Sequence, residues 1–263
     1  MAVKRKRTGK PARVYKRATK KRRFAGRAGI VRVVAKMMNR NLETKESQER
    51  ANAGTTIQNI AHNNILVVQN IGRASVFNMF TLNNGTGDPM EANQGSRIGD
   101  QIVLKGISIK MFLENPIDRC NTHYRIMVVR GAKGETFDRT TLFKNKSANK
   151  LMDVINTERF SIIAQKVVNL RSANGTANAI SLTGVPGTTV NSGMATRLVT
   201  MWIPGTKFAK GGNIQYENGS AFQVKFYDYR ICILAYDWYG TPQDANTVGK
   251  VNDLIATMYY KDA

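Results

Sequence analysis

From Gln101 to Glu114 apolar and polar side chains take turns along the chain. Ile107, Ile109, Met111 and Leu113 fall on one side of an extended backbone, with Ser108 and Lys110 on the other. A period of two over this length is incompatible with a helix and predicts a strand with one buried face. The same texture continues from Asn64 onward, as short stretches rich in Val, Ile, Phe and Tyr separated by Gly, Asn, Asp and Pro. It predicts strands at 65–70, 75–82, 101–114, 122–130, 158–170, 196–203, 213–217, 222–238 and 250–260. Within 222–238, Phe222, Val224 and Phe226 share one face. Ile231, Cys232, Ile233 and Leu234 are then apolar in succession, as in a central strand covered on both sides.

Between these runs, residues 43–62 are polar and read as a loop. The stretch 132–157 carries helical turns at Thr140–Lys146 and Asn149–Ile155. Residues 171–195 are rich in Gly, Asn, Ser and Thr, and so long a connection in a compact domain is expected to be exposed or functional. Eight or nine strands without a helical layer predict an all-β fold closed or doubled on itself. Irregular strand spacing suits Greek-key connections, so the expectation is a single eight-stranded antiparallel jelly roll.

The first forty residues cannot join that core. They hold sixteen cations: Lys4, Arg5, Lys6, Arg7, Lys10, Arg13, Lys16, Arg17, Lys20, Lys21, Arg22, Arg23, Arg27, Arg32, Lys36 and Arg40. No acid occurs before Glu43. The whole chain has a net charge of +22, so only +6 is left for the other 223 residues. Like charges at this density repel, stay extended and pair with a polyanion. A nucleic-acid backbone fits best, because each neutralised phosphate releases condensed counterions. The sixteen are the candidate nucleic-acid-binding residues. Lys4–Arg7 and Lys20–Arg23 also read as a nuclear address. Residues 1–28 are expected to be disordered, and 29–42 carry Ile30, Val33, Val34, Met37 and Met38 at helical spacing. The division is thus an arm, 1–42, and a jelly-roll body, 43–263.

Catalytic chemistry has no visible seat. His62 and His123 have no nucleophile or carboxylate at a useful spacing, and neither lies in a metal-ligand pattern. Cys120 and Cys232 stand apart and read as reduced thiols. The expectation is no catalytic residue, no metal and no cofactor. No apolar run reaches the length of a membrane span and no signal peptide opens the chain, so no membrane insertion is expected. Tyr227, Tyr229, Tyr236, Trp238, Tyr239, Tyr259 and Tyr260 crowd the last two strands. Packing in the core or between subunits is their expected role, and base stacking is the alternative.

Several stretches resemble one family. These are Arg97-Ile98-Gly99-Asp100-Gln101-Ile102-Val103-Leu104-Lys105-Gly106-Ile107-Ser108-Ile109-Lys110-Met111, Tyr124–Arg130 with Ala132-Lys133-Gly134, and Thr141-Leu142-Phe143. Asp153–Phe160, Ile231–Thr241, Tyr259–Asp262 and the junction Arg40–Lys45 add to them. Together they resemble the capsid protein of small circular single-stranded DNA viruses that encode a replication initiator, the CRESS-DNA viruses. The resemblance implies a single jelly roll, self-assembly of about sixty copies into an icosahedral shell, and an arm facing the packaged genome. It extends to the coats of satellite plant RNA viruses, so fold alone does not separate DNA from RNA cargo. A host nuclear import receptor is the further partner implied, with the virion and the host nucleus as locations. The rival reading is a non-capsid viral or architectural nucleic-acid-binding protein of the shuttle or movement type.

Overall fold

The computed structural model describes Val31 and residues 44–51, 57–70, 75–84, 96–116, 119, 121–171, 195–218, 220–221, 223–238 and 247–262. The chain divides into a unit Met1–Asn41 and a unit Leu42–Ala263. Of the first unit only Val31, helical and exposed, is described, so the remainder of the helix expected at 29–42 lies outside the described residues.

In chain order the second unit contains β1 (Lys45–Arg50), β2 (Gln58–Ala61), β3 (Asn64–Val67), β4 (Gln69–Asn70), β5 (Ser75–Val76), β6 (Asn83–Asn84), β7 (Ser96–Arg97), β8 (Gln101–Glu114) and β9 (Asn121–Ala132). There follow the helical turn α1 (Arg139–Leu142), β10 (Phe160–Arg171), β11 (Thr196–Pro204), β12 (Asn213–Gln215), β13 (Tyr227–Asp237) and β14 (Thr247–Asp262). One sheet has the order β1-β14-β8-β11, with β2 continuing the β14 edge and β12 added to β8. The other has the order β10-β9-β13. β3 lies along its β13 edge through Asn63 N–H to Ala235 O at 2.8 Å and Val68 N–H to Ile231 O at 3.0 Å. Except for the paired neighbours β9 and β10, successive long strands from β8 onward pass from one sheet to the other, and all their ladders are antiparallel. This is jelly-roll topology.

The eight-strand expectation requires correction. Fourteen β segments run through the described residues, four of them two residues long. The excess arises where one edge is cut into β1 and β2, where β12 adds to β8, and where short ladders tie down connections. The loop expected at 43–62 is wrong for the same reason. β1 reads Lys-Glu-Ser-Gln-Glu-Arg and has no apolar alternation, yet it pairs residue for residue with Tyr260 back to Ile255. An edge strand can be polar because its main-chain ladder holds it, while charge guards the open side. Lys45–Asp262 at 2.6 Å and a bidentate Arg50–Asp253 pair do so here. The strand expected over 222–238 begins only at Tyr227. Before it the chain doubles back along β12, with Lys225 N–H donating to Gln215 O and Tyr216 bridging Val224. At 75–82 only β5 is extended, although Phe77, Met79, Phe80 and Leu82 are buried.

The alternation in β8 works as expected. Ile107, Ile109, Met111 and Leu113 meet Tyr124, Ile126 and Val128 of β9 and Ile231, Ile233 and Ala235 of β13 in one core between the sheets. Each such side chain contributes about 1.5–3 kcal/mol through burial. The double-sided apolar run in β13 also has the expected cover. Cys232 and Leu234 face away from that core and join Met127, Val129 and Phe160 in a second cluster. The connection 133–159 closes over it with Phe137, Leu142, Phe143 and Ile155. At Gly131 a Cβ would stand 2.8 Å from the Phe137 ring, so only glycine admits the cover this close.

Candidate nucleic-acid interface

All sixteen expected contact residues, Lys4 through Arg40, lie outside the described residues. The stretch 172–194, Cys120 and Tyr239 do so as well. The described body shows how its own cations are employed and which aromatic rings face outward.

Several cations are structural. The Arg97 side chain is fully buried, donates to the carbonyls of Gly99 and Ser220 and to Asp100, and lies 4.3 Å from the centre of the Tyr216 ring. Arg125, on the outer face of β9, donates to Lys150 O at 3.3 Å, Leu151 O at 3.2 Å and Asp153 O at 2.9 Å. Its guanidinium also meets Gln165 Oε1. Lys150 pairs with the buried Asp153 at 2.8 Å. Burial alone would raise the Asp153 carboxyl, but the Lys150 ammonium and the Lys146 and Val154 amides outweigh it and hold the group below its ordinary value. Arg119 pairs with Asp237 at 3.2 Å. These groups fasten loops to sheets, and their charge is already matched by protein acceptors.

The histidines are structural too. His62 is buried, accepts from Asp237 N–H at 3.2 Å through Nδ1, and packs on Tyr236. Burial holds His62 and His123 below the ordinary histidine value. Cys232 is fully buried, and burial pushes its thiol up to about 12. Among the described residues no three metal-ligating side chains gather, and no helix is long and apolar enough to cross a membrane.

The aromatic residues divide by face. Tyr229 and Tyr260 belong to the core. Trp238 is exposed and stands edge-on to His123, and Tyr227 is exposed beneath the Arg130 guanidinium. Sequence reasoning overlooked one ring: Trp202 on β11, 54% exposed. Its signal was available, because Leu198, Thr200 and Trp202 alternate with buried Val199, Met201 and Ile203. Trp202 lies on the outer face of the larger sheet, over Gly106, with the Tyr259 ring centroid 5.7 Å away. Lys105 and Lys110 are exposed on β8.

Compared with known proteins, the chain matches no protein-family model and no curated sequence.

Proposed function

We propose that this chain is a viral capsid protein of the CRESS-DNA type: the body builds an icosahedral shell and the arm condenses single-stranded nucleic acid. The observation that carries the reading is the partition of charge and apolar surface. A jelly-roll body with only +6 follows forty residues bearing sixteen cations and no acid. Folding free energy comes from buried apolar area, to which a solvated polycation contributes nothing favourable. Affinity for a polyanion comes from phosphate neutralisation, which the arm is built to supply. In a sixty-copy particle the arms would offset on the order of a thousand phosphates. The two basic clusters would also serve for nuclear import before assembly.

The test has two parts. Negative-stain microscopy of purified protein should show uniform spherical particles; a monodisperse monomer across salt and pH would support the rival non-capsid binder. Deleting residues 1–28 should leave the circular dichroism spectrum of the body intact. It should also abolish most single-stranded DNA binding and flatten the dependence of log affinity on log salt. Unchanged affinity and slope would place the nucleic-acid site in the body and overturn the division of labour.

A further inference from the structure

We infer that the outer face of the β1-β14-β8-β11 sheet carries a base-stacking platform, Trp202 with Tyr259, flanked by Lys105 and Lys110, that binds single-stranded nucleic acid independently of sequence. The inference rests on the proposed cargo and adds a second contact to it, made by the folded body.

The platform follows from register. Trp202 sits opposite Ser108, which in turn sits opposite Thr257, while Tyr259 sits opposite Gly106. Gly106 supplies no side chain, and the indole occupies the space: a Cβ there would lie 2.4 Å from Trp202 Cζ2. The ring is therefore laid against the sheet, leaving its other side to solvent. Tyr259 extends the aromatic surface, with the two rings inclined at 52°. An exposed indole on a sheet is the element on which any base can stack, because every base has a π-face.

Charge selects the occupant. Lys105 stands at the register shift where β14 passes from Tyr259 to Tyr260, beside the platform. Lys261 sits opposite Val103 but is itself buried, so Lys105 is the exposed cation at this end of the platform. Lys110 lies one step along the same face, opposite Thr200 and Ile255. Of the acids on this face, Asp253 is held by Arg50, Glu114 at the far end of β8 by Lys250 and Asn252, and Glu46 lies beyond Tyr259 on the edge strand. Cations beside aromatic rings are matched by phosphates beside bases. A second copy docking this face on itself would bring lysines together, and the arm's own cations would meet the same repulsion.

The chain has two tryptophans, so Trp238→Phe makes Trp202 the sole indole reporter in the full-length protein. The probes are an oligothymidylate of about ten nucleotides, within the usual footprint of such sites, and an abasic deoxyribose-phosphate oligomer of equal length. Dye anisotropy reads total binding and indole emission reads the platform. Oligothymidylate should quench Trp202 saturably, in step with anisotropy, while the abasic oligomer binds without quenching. Trp202→Ala should weaken oligothymidylate binding about tenfold and leave abasic binding unchanged, with Trp202→Phe retaining most of the affinity. Lys105→Ala and Lys110→Ala should weaken both probes and each lower the salt slope by about 0.7. Oligothymidylate binding without a change in emission overturns the platform while leaving the arm's role standing. An emission shift that grows with protein concentration alone overturns it in favour of a subunit contact. Failure of both probes to bind removes the proposed function and the platform together.

Discussion

The two sheets of the jelly roll share one core, yet their outer faces differ. The β10-β9-β13 sheet is covered over β9 and β13, leaving Val167 exposed at its β10 edge: Met127, Val129, Cys232 and Leu234 pack beneath the connection 133–159, which Arg125 pins through three backbone carbonyls. The larger sheet leaves Leu198 and Trp202 more than half exposed and Phe112 partly so. An apolar face that folding leaves open on a two-sheet protein has a different task from one the chain covers itself. The covered face stabilises the fold, and the open one keeps apolar surface in solvent.

The largest effect that would test this contrast is loss of Phe160. It is 2% exposed and packs on Phe137 outside the inter-sheet core. Phe160→Ala should lower unfolding free energy by about 3–5 kcal/mol, as for a true core residue. A loss under about 1 kcal/mol in denaturant titration would make the cover a loose flap, with stability confined to the inter-sheet core.

Arg125→Ala should come next, costing about 1–3 kcal/mol by leaving buried carbonyls without donors. Its sharper readout is local. Cys232 lies under the cover, so its alkylation rate should rise well before global unfolding, whereas in the unaltered protein the buried, high-value thiol should resist reagent. Equal Cys232 labelling in the two proteins would show that the guanidinium does not fasten the cover.

Acid should loosen the covered side by a smaller amount. Unfolded histidine takes a proton near pH ~6.5, but burial lowers the folded values of His62 and His123. The unfolded state therefore binds more protons in that window, and stability falls as pH drops through it. Asp153 is depressed in the fold, so its contribution is complete above the ordinary carboxylate range, about pH 4, and is lost as pH falls through its lower folded value. Denaturant midpoints should fall once on going from about pH 7.5 to 5.5 and again below about 4. His62→Asn with His123→Asn should remove the first step; its persistence would assign it to other groups.

The smallest stability change belongs to the open face. Trp202→Ala should lower unfolding free energy by only about 1 kcal/mol, because over half of its ring already faces solvent. A loss as large as that of Phe160→Ala would mean that this face, too, is needed for folding.

What was legible in the sequence follows from where side-chain pattern carries information. β8 and β13 were readable because burial on one face, or on two, prints itself as alternation or as a continuous apolar run. β1 was not, because Lys45–Arg50 is held by main-chain hydrogen bonds and ion pairs that any polar sequence could offer. The turns within 133–159 were visible, but their anchor was not, because the carbonyls that Arg125 reaches belong to no residue type. The arm's charge was plain from composition, whereas the Trp202 platform needed strand register to bring Gly106 beneath the indole and Tyr259 beside it.

The pairing of β1 with β14 also has a mechanical meaning. Lys45 lies opposite Tyr260, so the strand by which the chain enters the described body and the strand by which it leaves are antiparallel neighbours. Tension applied through the backbone before Lys45 and after Asp262 loads this ladder from one end, and its bonds break one pair at a time instead of in shear. The Lys45–Asp262 ion pair is the first link to bear that load. The body would therefore yield to a pull at its own tethers well before its cores are strained.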